Sequence, residues 1–152
     1  MKRRDIIRNS ALLAGAAAAG DVFAADAQGS GERFGQNIIP PADEMGKEKH
    51  VPVIDAPASV KAGEPFNVTV SVGKTVPHPN TVEHHIKWIQ LFAKEEGSRY
   101  VVEILKADFG PTYASPSVTV PVMLKKNSTL YALEHCNIHG VWDYSVKVTV
   151  IA

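Results

Sequence analysis

One cysteine in a chain of 152 residues excludes an internal disulfide framework and every zinc site that needs two or more thiolates. Neither charge is in excess. Sixteen basic residues face sixteen acidic ones, which argues against a nucleic-acid binder that works by neutralising phosphates. No long apolar run exists either, the longest being an alanine-rich stretch too short for a membrane span of about 20 residues. A sustained helical stripe is missing, and so is any internal repeat. What the chain does have is 45% apolar residues, enough for a packed core, and six histidines beside its single thiol.

Residues 1–27 read as an export signal. Lys2, Arg3, Arg4 and Arg8 precede the stretch Ser10-Ala-Leu-Leu-Ala-Gly-Ala-Ala-Ala-Ala-Gly20, and small-residue cleavage patterns follow at Val22-Phe23-Ala24 and Ala25-Asp26-Ala27. The pair Arg3-Arg4 before Ile6-Ile7 matches a twin-arginine signal, which delivers proteins already folded, and the expected location is the periplasm with no membrane anchor on the mature form. Cleavage takes away four basic and three acidic residues and leaves the chain near neutral. Residues 28–45, rich in Gly, Pro and polar groups, read as a flexible arm. Residues 46–152 form the domain.

That domain has a period of two. Phe66, Val68, Val70 and Val72 fall on one face, and Tyr144, Val146, Val148 and Val150 on another. Further strands are predicted at 84–94, 100–107, 117–124 and 128–135, separated by the turn residues Gly63, Pro77-His-Pro-Asn80, Gly97, Gly110-Pro111 and Asn127. About seven short strands at this spacing predict an all-β, immunoglobulin-like sandwich. Function then has to be read from a site.

His50, His78, His84, Cys136 and His139 are the candidate metal ligands, all at loops or strand ends. Along an extended strand His78 and His84 would lie about 20 Å apart, whereas ligands of one metal lie within about 4 Å. A reversal at Pro79-Asn80 can join them. His84 shares parity with Ile86 and Trp88, which places it on the apolar face, while His85 has the other parity. For His78 and His84 alone, hydrogen-bonded core histidines explain the pattern equally well. Cys136-Asn-Ile-His139-Gly140 is sharper, since a thiolate and an imidazole three residues apart on one loop suit iron, copper or zinc. Ligation also protects a lone thiol in an oxidising compartment. Glu48 and Lys49, just before His50, read by themselves as a solvated charge pair.

Three segments carry a resemblance: Gly46-Lys-Glu-Lys-His-Val-Pro-Val-Ile54, Val72-Gly-Lys-Thr-Val-Pro-His-Pro-Asn-Thr-Val-Glu-His-His-Ile86 and Leu130-Tyr-Ala-Leu-Glu-His-Cys-Asn-Ile-His-Gly-Val-Trp142. Together they resemble superoxide reductase of the one-iron neelaredoxin type, the iron domain of desulfoferrodoxin. The resemblance spans about residues 45–151. It implies one iron ion held by His50, His78, His84 and His139 as equatorial ligands and Cys136 as the axial one. It implies that Glu48 occupies the sixth position in the ferric state only and that Lys49 stands near the open site. His85 and His135 have no ligand role in this matching. Superoxide is the implied substrate, reduced to hydrogen peroxide, and an external one-electron donor and a homotetramer are the implied partners. The Cys-rich, rubredoxin-like domain of desulfoferrodoxins is missing here, and an exported chain leaves the donor's identity open. A blue-copper electron carrier is the competing reading, because Cys136, His139 and a valine-alternating strand also suit that class. It lacks the axial Met after the histidine, since no Met follows Met123. A metal-free sandwich acting as a carrier leaves the ligand cluster unexplained.

Overall fold

A computed structural model describes residues 48–152. The segments predicted as an export signal at 1–27 and an arm at 28–45, together with Gly46 and Lys47, lie outside the described residues. Eight strands follow one another: β1 (Val53–Asp55), β2 (Ser59–Lys61), β3 (Pro65–Ser71), β4 (Ile86–Glu95), β5 (Val102–Asp108), β6 (Ser117–Met123), β7 (Ser128–Cys136) and β8 (Gly140–Ile151). They form a three-stranded sheet, β1-β3-β6, and a five-stranded sheet, β2-β8-β7-β4-β5. Every pairing is antiparallel except β2 with β8.

Alternation explains how the two sheets make one core. Val68 and Val70 of β3 are fully buried, as are Ile89 and Leu91 of β4 and Leu130 and Ala132 of β7. Each large aliphatic side chain so enclosed contributes about 1.5–3 kcal/mol. Tyr131 and Leu133 on the opposite face of β7 are buried too, so the central strand reads as a continuous apolar run rather than an alternating one. The six predicted strands are present with ends shifted by a few residues. The short β1 and β2 were not predicted, since three residues carry too little pattern. Tyr144, predicted inward with Val146, Val148 and Val150, remains 46% exposed.

One expectation needs correction. β4 starts at Ile86, not at His84, and its register against β7 slips between Ile86 and Trp88. The extra residue in this bulge reverses parity, so Ile86, Ile89 and Leu91 are all buried, whereas Trp88 pairs with His135 on the other face. His84 therefore takes its direction from the loop before the strand and not from strand parity.

Candidate metal centre

At one end of the sandwich, three separate stretches of chain converge. The first is the helical turn at residues 48–50, which buries His50. Sequence reasoning allowed Lys49 near a metal only from an irregular loop; the helical turn supplies the needed change of direction instead.

The second is the segment between β3 and β4. Gly73, with φ of 73°, brings the chain so close to the backbone of His78 that a Cβ there would lie 2.5 Å from the His78 nitrogen. The predicted reversal after His78 is real, for the His78 and His84 ring centroids are 4.6 Å apart. The third is the β7–β8 hairpin. Cys136 pairs with Gly140, leaving a three-residue loop, Asn137-Ile138-His139, which the positive φ of Gly140 closes. Cys136 and His139 are thereby held at its two ends.

The four imidazoles form a closed ring. Successive centroids lie 4.8 Å apart for His50 and His78, 4.6 Å for His78 and His84, 4.8 Å for His84 and His139, and 4.8 Å for His139 and His50. Each neighbour is nearly perpendicular to the next, whereas His50 and His84 face each other across a 6.3 Å diagonal. This is a square with its edges turned inward. Ligand atoms of His50, His84, Cys136 and His139 all lie within 4.8 Å of one another. The Cys136 sulfur, fully buried, stands 3.6 Å from His139 Nδ1.

The donor chemistry fits a cation. His78 Nδ1 donates to the Pro79 carbonyl at 2.6 Å, which leaves the lone pair on Nε2. That Nε2 and the Nε2 of His84 are buried with no hydrogen-bond partner among the described residues. His50 Nε2 and His139 Nδ1 lie 3.0 Å apart, within hydrogen-bond distance of each other. Burial lowers the His78 pKa to about 4, and burial and His139 lower that of His84, so both rings are neutral and ready to ligate at neutral pH. Burial pushes the Cys136 thiol up, opposed by the Ile138 and His139 N–H groups that donate to it. Lys49 is half-buried, and its charge also bears on His84. Glu48 is exposed. His85 turns away, its Nδ1 donating to the Thr81 carbonyl at 3.1 Å, and His135 packs against Trp88 instead.

Two supporting residues were not singled out from sequence. Gly73 is one. Trp142 is the other: it stacks on His50 at 4.8 Å and donates from Nε1 to the His139 carbonyl at 3.2 Å, so a single indole braces the His50 ring and the backbone of His139. Neither has a period or spacing that marks it as part of a site.

The desulfoferrodoxin model matches residues 42–145. The chain belongs to the desulfoferrodoxin family. Among its relatives, the superoxide reductase of Pyrococcus furiosus is 41% identical over 66% of this chain and 89% of its own. The neelaredoxin of Megalodesulfovibrio gigas is 40% identical over 68% of this chain and 88% of its own. The solved superoxide reductase (neelaredoxin) of Ignicoccus hospitalis matches with a TM-score of 0.67 and 43% identity, covering 72% of this chain and 89% of that one. Family membership and the His/Cys cluster agree on a site able to hold one iron ion, and they do not favour the blue-copper reading.

Glu134 carries a consequence for stability. It is fully buried on β7, both its carboxylate oxygens have no partner among the described residues, and burial raises its pKa to about 9. Between the ordinary value of 4.5 and about 9 the folded chain keeps a proton there that the unfolded chain releases. Stability of the metal-free protein is therefore expected to fall as pH rises through that window. Glu134→Gln should flatten the decline in thermal melts taken from pH 5 to 9; an unchanged slope would assign the dependence to another group.

Proposed function

We propose that this protein is a superoxide reductase, which takes one electron from an external donor and two protons to convert superoxide to hydrogen peroxide without releasing dioxygen. The observation that carries this reading is the ring of four inward-facing imidazoles with a buried thiol against it. Iron bound there supplies the one-electron couple. His50, His78, His84, His139 and Cys136 would hold the iron and leave it accessible to substrate. Cys136 would hold the iron as a thiolate and would supply electron density that makes the reduced substrate easier to protonate. Neutral imidazoles leave the net charge of the centre low, and Lys49 attracts the anion and orients the water that delivers a proton. Glu48, exposed and two residues before His50, would be the group that caps the oxidised centre.

We also read the sandwich as immunoglobulin-like, the active form as a homotetramer, and residues 1–27 as a twin-arginine signal that sends the folded protein to the periplasm. The Arg3-Arg4 pair and the alanine-rich stretch support export. The electron donor is then a periplasmic one-electron carrier.

Anaerobic stopped-flow mixing of the reduced protein with superoxide tests the activity. One peroxide per superoxide and no dioxygen is expected; half a peroxide together with dioxygen would make the protein a dismutase instead. Lys49→Ala should keep its iron, react with superoxide several-fold to about tenfold more slowly at low salt, and lose much of its dependence on ionic strength. A rate equal to that of the unaltered protein at low salt would remove Lys49 from the steering role.

A further inference from the structure

The ladder between β4 and β7 ends before it reaches His84. Ile86 pairs with Cys136, and His84 and His85 lie beyond that last pair. One residue takes over there. Asn137 donates its backbone N–H to the His85 carbonyl at 3.1 Å. Its Oδ1 accepts the His85 N–H at 2.8 Å, and its Nδ2 donates to the Glu83 carbonyl at 2.8 Å. The carboxamide thus acts as a detached peptide group, binding the chain on both sides of His84. Thr81 holds the same residue locally: its Oγ1 accepts the His84 N–H at 3.1 Å, and its own N–H donates to the His84 carbonyl at 2.9 Å.

These two anchors do different things. Thr81 lies three residues from His84 and moves with it. Asn137 belongs to the three-residue loop that holds Cys136 and His139, so its bonds tie two of the converging segments to each other. The side chain is exposed, and hydrogen bonds of this kind contribute only about 0.5–1.5 kcal/mol each to folding. Their larger consequence is geometric. His84 Nε2 is buried without a hydrogen-bond partner among the described residues, so the placement of its backbone, with the ring contacts to His78 and His139, keeps it there.

We propose that Asn137 is a positioning residue of the metal centre, whose carboxamide locks the backbone around His84 to the loop bearing Cys136 and His139 and so sets the spacing of imidazole and thiol before a metal arrives. The inference rests on the iron-site reading above. Asn137→Ala removes both side-chain bonds. Asn137→Asp keeps the acceptor for the His85 N–H but turns an oxygen toward the Glu83 carbonyl, losing the other bond.

Anaerobic competition with a chelator for iron(II) tests it on the full chain, together with thermal melts of the metal-free forms. Asn137→Ala is expected to weaken iron binding about 10- to 100-fold, as loss of a ligand's supporting partner does, and Asn137→Asp to fall between it and the unaltered protein. In a His84→Ala background, Asn137→Ala should cost less than about twofold more, because it acts through His84. Asn127→Ala is the control. That side chain also bridges segments, accepting the Val150 N–H at 2.8 Å and donating to Glu96 at 3.0 Å, away from the ligands; it should lower the melting temperature and leave iron affinity unchanged. Full additivity with His84→Ala would make Asn137 a general brace and overturn the proposal, as would unchanged iron affinity in Asn137→Ala. If Asn137→Ala does not fold, the same comparison made with Asn137→Asp decides between these outcomes. Failure of the unaltered protein to bind iron would overturn the metal reading itself, and this inference with it.

Discussion

Cys136→Ser is expected to fold, to lose the visible thiolate-to-iron absorption of the oxidised protein and to lower turnover with superoxide by at least about 100-fold. The loss should exceed the 10- to 100-fold effect typical of residues that only support a ligand, because here the donor itself goes. Folding survives because the change is small and the local frame stays. Cys136 is the last residue of β7, its backbone pairs with both Ile86 and Gly140, and a serine oxygen still accepts the Ile138 and His139 N–H groups now aimed at sulfur. What serine does not supply is a soft, readily ionised donor. The four ring-to-ring contacts do not run through the thiol, so iron is still expected to bind but without thiolate donation. Absorption spectra and stopped-flow traces of the iron-loaded variant read the two effects separately. A retained band would mean that the sulfur, although 3.6 Å from His139 Nδ1, is not a ligand.

The residues that cluster were legible in sequence and most of what aims them was not. Cys136 and His139 could be joined because three residues and a glycine make a hairpin loop, a local rule that needs no knowledge of the fold. His78 and His84 required a reversal, which Pro79-Asn80 announced. Strand parity failed at Trp88 because the bulge between Ile86 and Trp88 is a register event between two strands, invisible in either strand alone, and it does not apply to His84, which precedes the strand. Alternation marked the inner face of β3 but not that of β4 beyond its bulge, and it could not mark Glu134, a carboxyl that follows the inward parity of Leu130 and Ala132 into the core. Trp142 reads in sequence as one more large apolar residue of β8, and its brace on His50 and His139 exists only once the segments converge.

Gly73→Ala is expected to damage the centre nearly as severely as removal of a ligand. The added methyl meets the His78 backbone nitrogen at 2.5 Å and its Cα at 3.3 Å, so something must move. The glycine's own side of the contact is pinned. Val72 is buried and donates its N–H to the Pro116 carbonyl at 2.9 Å, while Lys74 is held by both carboxylate oxygens of Asp55, at 2.6 and 2.8 Å. A φ of 73° adds about 1–2 kcal/mol of strain for any residue with a Cβ. The yielding partner is therefore the chain at His78, whose ring is wedged between His50 and His84. Displacing it opens one corner of the imidazole square. The metal-free variant should be less stable by about 2 kcal/mol or more, and iron(II) affinity should fall to near that of His78→Ala. Comparing the two variants separates the causes: His78→Ala loses affinity with little loss of metal-free stability, and Gly73→Ala loses both. In the double variant the affinity losses should not add, because both remove the same corner. Iron affinity in Gly73→Ala equal to that of the unaltered protein would mean that the backbone at 72–74 yields instead, and that the close approach of Gly73 does not set the position of His78.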